Sequence, residues 1–182
     1  VTYFLHQGAQ RGYEFELASA FAKHLGVRIA MVVPRSRGGL RRALLDGEGD
    51  MIAAGMSITP LRQETLLFTD KIFDAQRVVA THSLDRRPMK ELADLADFEI
   101  HVDFSSTTLR DLKKSQEELQ KELMIFDVND GVEMEEMLKR VSDGAYEATV
   151  ADRRLVKLAK AAGAAVEIRM AIGGPRQKGW AF

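Results

Sequence analysis

Apolar positions along this chain alternate between helical and strand-like periods, which predicts α/β layers. Tyr13 to Leu25 carries Leu17, Phe21 and Leu25 in i, i+4 steps, so the spacing predicts a helix with that inner stripe, and Gly26 is placed to end it. The β-branched run Val27 to Val33 predicts a strand. Leu40 to Leu45 reads as helix, closed by Asp46-Gly47, and Met51 to Ala54 as a short buried strand. Arg77 to Thr81 is a further strand, followed by a short helix over Met89 to Leu95 and a strand over Phe98 to Asp103. Thr107 to Leu123 predicts a long helix with Leu109, Leu112, Leu119 and Leu123 inside. Ile125 to Val128 and Ala148 to Ala151 are strands flanking a helix over Val132 to Val141. A helix over Arg153 to Ala162 and strands over Val166 to Met170 and Trp180 to Phe182 complete the pattern.

A weak internal repeat adds organisation. Leu45 to Ala54 and Ser142 to Ala151 each run through Asp-Gly, an acid three residues after the glycine, and a small apolar strand. Asp-Gly is common at αβ turns for its own conformational reasons. Set in two similar strand–helix surroundings, the repeat favours two α/β lobes, residues 1–82 and 83–182, with the boundary in the stretch Thr81 to Pro88.

Composition narrows the class. The 182 residues are 46% hydrophobic, 29% charged and 7% aromatic, which excludes a disordered or low-complexity chain. Lys+Arg 26 against Asp+Glu 27 leaves a net charge of -1, so no global field attracts nucleic acid or anionic lipid. The longest uncharged stretch, Met51 to Leu61, is far short of the ~20 apolar residues of a membrane span. No signal-peptide pattern opens at Val1. The absence of cysteine removes thiol nucleophiles, disulfides and Cys-ligated metals.

Catalytic and metal templates mostly fail, and no cofactor is expected. His6, His24, His82 and His101 are dispersed without metal-ligand spacing. Asp127-Val128-Asn129-Asp130-Gly131 resembles a calcium loop, but its glycine comes one position too early, and a turn with Asx side chains fits better. Gly38-Gly39 and Gly47-Glu48-Gly49 fit neither a P-loop nor a dinucleotide fingerprint, and there is no Gly-x-Ser-x-Gly elbow. Arg35, Arg37, Arg41 and Arg42 form a basic cluster that reads either as an anion patch or, more simply, as a solvated helix face.

The segment Gly55-Met56-Ser57-Ile58-Thr59-Pro60-Leu61-Arg62 carries more. A strand ending at Ala54 delivers these residues to the C-terminal sheet edge, where open α/β sheets bind ligands. Ser57 and Thr59 offer hydroxyls, Pro60 fits a first helical turn, and Arg62 then sits where a guanidinium can grip a carboxylate, or is simply exposed on a capped helix. In the second half, Ser105-Ser106-Thr107-Thr108 places a run of hydroxyls at a helix N-terminus, an anion-receptive arrangement or plain capping. Asp152 ends a strand and starts a helix, where it can cap that helix or bind an ammonium.

These residues resemble the family 3 extracellular solute-binding proteins, which have the type II periplasmic binding fold. The family's Gly-Phe-x-x-(Asp/Glu)-Leu helix corresponds to Gly12 to Leu17, its Asp-Gly-x-x-Asp turn to Asp46 to Asp50, and its Ser/Thr-Ile-Thr-x-x-Arg segment to Ser57 to Arg62, followed by Phe68-Thr69-Asp70. The second-lobe loop corresponds to Ser105-Ser106-Thr107 and the strand ending in Asp to Ala148 to Asp152. Within the family, Thr2-Tyr3-Phe4 leading to Arg11-Gly12 most resembles the solute-binding domain joined to membrane-bound lytic murein transglycosylases of the F type.

The resemblance implies an α/β fold of two lobes with a hinge of two crossing strands and an interlobe ligand cleft. It implies that Arg62 holds an amino acid's α-carboxylate, helped by Ser57 and by N–H groups near Ser106 and Thr107, and that Asp152 holds the α-ammonium. The resemblance also implies that an aromatic near Tyr3 lines the pocket. Gly55 and Asp103 join the ligand-binding positions but depart from the family pattern, Gly55 by having no side chain and Asp103 by its charge where many members are apolar or basic. Ser105 stands where glycine is usual. The first strand of lobe 1 and its C-terminal return are expected to be missing. The implied function is a non-enzymatic, periplasmic or cell-envelope sensor for a small-molecule ligand, an amino acid or a peptidoglycan-derived peptide (a muropeptide). It would control a fused or membrane-associated partner domain. The alternatives are an amino-acid receptor of an ABC transporter and, from another class, an enzyme like cyclohexadienyl dehydratase using Asp103 or Asp152.

Overall fold

The computed structural model describes residues 4–6, 9–34, 39–104, 106–128 and 132–182, and it alternates strands and helices as the pattern predicts. A short hairpin, β1 (Phe4–His6) and β2 (Ala9–Arg11), precedes α1 (Tyr13–Leu25), α2 (Gly39–Leu45), β3 (Ile52–Ser57) and α3 (Pro60–Gln63). Then come β4 (Phe73–His82), a 3-10 turn (Leu92–Asp97), β5 (Glu99–Val102), α4 (Thr107–Leu119) and β6 (Met124–Asp127). The chain closes with α5 (Met134–Ser142), β7 (Ala148–Asp152), α6 (Arg153–Ala161) and the long β8 (Val166–Ala181). Strand order is β3-β8-β4-β7-β5-β6.

Two compact units emerge, Val1–Asp74 with Arg176–Phe182, and Ala75–Pro175. The division therefore falls at 74/75 and 175/176, not in the stretch 81–88. The reason is pairing: Arg77 through Thr81 lie antiparallel to Asp152 through Ala148, which commits β4 to the second unit. The return of the chain to the first unit, expected to be missing, is present. Ala181 pairs with Ile52, Gly179 with Met56 and Lys178 with Ser57.

In the first unit α1 has the expected bounds, and Gly26 ends it at φ 70, the left-handed conformation that a Cβ disfavours. Its inner face is not the predicted one. Glu14, Ala18 and Ala22 are buried, whereas Phe21 and Leu25 are exposed. Small residues let the helix approach β3, whose Ile52 and Met56 pack with Leu66 and Ala181. Glu14 Oε2 accepts a hydrogen bond from Trp180 Nε1 at 2.5 Å, tying α1 to the returning strand. Val27 to Val33 forms no strand, and Val27, Val32 and Val33 are exposed. Propensity alone cannot make a strand where no ladder partner lies alongside.

In the second unit β4 sends alternate residues to opposite faces. Val79 joins Leu95, Phe98, Ile100, Val102, Leu112 and Val150 on one side. Val78 and Ala80 join Leu138, Val141, Ala151, Val156 and Val166 on the other. Helices thus cover both faces of the sheet, as parallel α/β pairing requires. Three expected boundaries shift here. The helix from Thr107 stops at Leu119 because Gln120 turns left-handed at φ 50, and Leu123 is buried beyond it in the core. The short helix expected over Met89 to Leu95 is the 3-10 turn Leu92–Asp97. The two strands expected from Val166 onward are one strand, carried through Gly173 and Pro175.

Candidate functional site

The first unit builds its candidate groups where β3 meets α3. The strand runs on to Ser57, three residues beyond the expected end, so Gly55 and Ser57 belong to the ladder rather than to a loop after it. Gly55 adopts φ 56 at the register shift between Ile52 and Met56, a β-bulge that favours glycine. Ser57 is buried, and its hydroxyl accepts from Lys178 Nζ at 2.7 Å. Thr59 caps α3, taking the Arg62 N–H on Oγ1 at 3.3 Å, with Pro60 at the first helical position. The half-buried Arg62 folds back, and its Nη1 donates to the Ser57 carbonyl at 3.0 Å. That anchor restrains the guanidinium, whose planar fork suits bidentate recognition of a carboxylate.

The second unit gathers its candidates at one edge of its sheet. β5 and β7 are parallel, with His101 opposite Thr149, so Asp103 and Asp152 follow the same ends of neighbouring strands. Arg77 on β4 lies in register with Asp152. Asp152 ends β7 and caps α6: Oδ1 accepts the Arg154 N–H at 2.8 Å, and Oδ2 pairs with Arg154 Nη2 at 2.9 Å. The Asp103 carbonyl accepts from the Ser106 N–H at 3.0 Å and from the Ser106 hydroxyl at 2.6 Å. Ser106 Oγ in turn accepts the Thr108 N–H at 3.2 Å. The one proton of the Ser106 hydroxyl is thus spent on the turn. Thr107 Oγ1 accepts from Arg77 Nη2, while Arg77 Nη1 pairs with Asp111 on α4.

Tyr3 and Ser105 lie outside the described residues, as do Arg35 and Arg37 of the basic cluster and Asn129 to Gly131 of the Asx turn. Two cations lie beside the candidate hydroxyls, Lys178 at Ser57 and Arg77 at Thr107. Each comes from a strand far away in the chain, and no local motif announces it. Among the described residues, no group of three or more His, Asp or Glu could hold a metal ion. None of their helices is long and apolar enough to cross a membrane.

Residues 1–152 match the family described as bacterial extracellular solute-binding proteins, family 3. Over 181 residues the chain is 29% identical to membrane-bound lytic murein transglycosylase F 1 of Alkalilimnicola ehrlichii, a match that covers 100% of this chain and 36% of the relative. It is 30% identical over 154 residues to membrane-bound lytic murein transglycosylase F of Shewanella woodyi, covering 83% of this chain and 31% of the relative. The chain thus spans about a third of the length of these relatives, whose remaining parts lie outside it. An ancestral arginine-binding protein bound to arginine matches with TM-score 0.83 and 26% identity, over 99% of this chain and 78% of that one. A putative L-cystine ABC transporter protein from Listeria monocytogenes, at TM-score 0.86 and 18% identity over 100% of this chain and 77% of its own, shares the fold. The fold is the type II periplasmic binding fold.

Proposed function

Because the chain belongs to family 3 of the bacterial extracellular solute-binding proteins, we propose that it is a non-enzymatic binding domain of the cell envelope for a small zwitterion. Its ligand is an amino acid or a peptidoglycan-derived peptide. Binding informs a lytic transglycosylase region of the kind named in its relatives. The observation that carries the reading is Arg62, a cation in α3 just beyond β3 whose Nη1 donates to the Ser57 carbonyl at 3.0 Å. It receives the α-carboxylate, with the Ser57 hydroxyl beside it. The second unit, taken by itself, offers Thr107 as a hydroxyl and N–H donor and Asp152 and Asp103 as acids that suit an ammonium.

Titration calorimetry with L-arginine, L-glutamine, meso-diaminopimelate and a wall-derived stem peptide tests the reading. At least one should bind, and Arg62→Ala should weaken that probe by ~1.5–3 kcal/mol, the worth of a charge-assisted contact. Arg62→Lys should lose part of this, since a point donor replaces a planar fork. Unchanged affinity in Arg62→Ala would remove the carboxylate clamp.

Asp152 gives a second expectation. Its partner Arg154 has a side chain 51% exposed, so the pair is weak and an incoming ammonium displaces it at small cost. Arg154→Ala should therefore tighten amine-bearing probes severalfold while leaving probes without an amine unchanged. Equal effects on both would mean that Asp152 serves only the cap of α6.

A further inference from the structure

At the start of α4 two neighbouring hydroxyls have opposite fates. Ser106 donates its one proton to the Asp103 carbonyl and accepts the Thr108 N–H, so it has no proton left to offer a ligand. Thr107 Oγ1 instead accepts from Arg77 Nη2. A guanidinium carries donors and no acceptor, so the Thr107 proton cannot be the one shared in this contact and must point away from Arg77. No acceptor among the described residues takes that proton. Arg77 is held in turn by the Asp111 carboxylate, one helical turn beyond Thr107, and the two side chains are only 13% and 21% exposed. A half-buried cation donating into a hydroxyl also polarises its O–H bond, which strengthens it as a donor. The remaining lone pair of the same oxygen stays close to a positive charge and is a poor place for an ammonium.

We propose that Arg77, held by Asp111, is a positioning residue that locks the Thr107 hydroxyl as an outward donor and so makes this face of the second unit selective for a carboxylate. The inference rests on the reading that Thr107 contacts the ligand, and it adds what sets the chemical sense of that contact. Asp111 keeps the guanidinium in place, and Arg77 keeps the proton pointing outward. Thr107 itself is the group that touches the ligand.

A double-mutant cycle separates this role from simple structural support. Calorimetry would use L-arginine, L-glutamine and meso-diaminopimelate, with the α-carboxamides of the first two as uncharged counterparts. Thr107→Val should weaken a carboxylate probe about tenfold and narrow its preference over the carboxamide. The paired change Arg77→Met with Asp111→Leu removes both charges of the pair at similar volume and should give the same loss. Adding Thr107→Val to that background should cost nothing further, because the two changes remove one interaction. Should the paired variant lose its cooperative melting, Arg77→Lys serves instead, and Thr107→Val should again cost less there than in the parent. Full additivity in either background would overturn the positioning role, even where Thr107→Val alone weakens binding. If the unaltered protein bound none of the probes, the site reading would fall, and this inference with it.

Discussion

Phe98→Ala is expected to destabilise the second unit by ~3–5 kcal/mol, the range for removing a fully buried aromatic ring. Phe98 has no exposed surface and sits among Val79, Leu95, Ile100, Leu112, Leu123 and Val150. It also fixes the turn into β5, since its N–H donates to the Leu95 carbonyl at 3.2 Å where the 3-10 turn ends. The Arg87 guanidinium lies over the ring at 4.0 Å from its centroid, so the truncation also removes a cation–π contact. Urea unfolding followed by far-UV circular dichroism would show the loss as a lower midpoint at an unchanged slope. Phe98→Leu should retain most of the stability, because it leaves a smaller cavity. A loss below about 1 kcal/mol in the alanine variant would show that the site collapses around the missing ring, contrary to the packed core described here.

Local pattern located most elements, while tertiary partners chose their faces and their bonds. Helix α1 shows the division of labour. Its ends follow from Gly26 and the apolar period, yet Leu17-Phe21-Leu25 and Glu14-Ala18-Ala22 are both i, i+4 stripes. The close approach of β3 and the Trp180 indole selected the second. Val27 to Val33 has strand propensity and no strand, because pairing is a property of two segments and only one was visible locally. The two strands expected over Val166 to Met170 and Trp180 to Phe182 are one, β8, which runs through Gly173, Gly174 and Pro175. The candidate site divides the same way. Motif and position at strand ends singled out Arg62, Ser57, Thr107 and Asp152 as candidates. That Ser106 spends its hydroxyl on its own turn, and that Lys178 and Arg77 address Ser57 and Thr107, depends on atoms brought together across the fold.

The connection that follows β4 supports a second large effect. Arg169 on β8 donates to the Thr81 hydroxyl at 3.2 Å, to the Asp85 carbonyl at 3.1 Å and to the Arg87 carbonyl, and its side chain is 14% exposed. Asp85 receives Arg87 at its carboxylate, with Nη2 to Oδ2 at 2.7 Å and the Arg87 N–H to Oδ1 at 2.9 Å. Two cations thus hold the turn, Arg169 through its carbonyls and Arg87 through the Asp85 carboxylate. Arg169→Met leaves two backbone carbonyls and a buried hydroxyl without their donor and takes a counter-charge from Asp85. The expected cost is ~3–5 kcal/mol, as for removing one partner of a buried charged network. The acid limb carries a separate signature. Hydrogen bonds from the Arg87 side chain hold the Asp85 carboxyl below its ordinary range, outweighing the opposing effect of burial. A carboxyl whose pKa is lower in the folded state stabilises above the unfolded value of about 3.9 and loses that contribution as the pH falls through its folded value. Asp85→Asn should therefore be less stable than the parent near neutrality, and the gap should shrink steadily once the pH drops below about 4. A gap that stayed constant down to pH ~2 would mean that the loss comes from the altered hydrogen-bond geometry of the turn rather than from the ionised carboxylate.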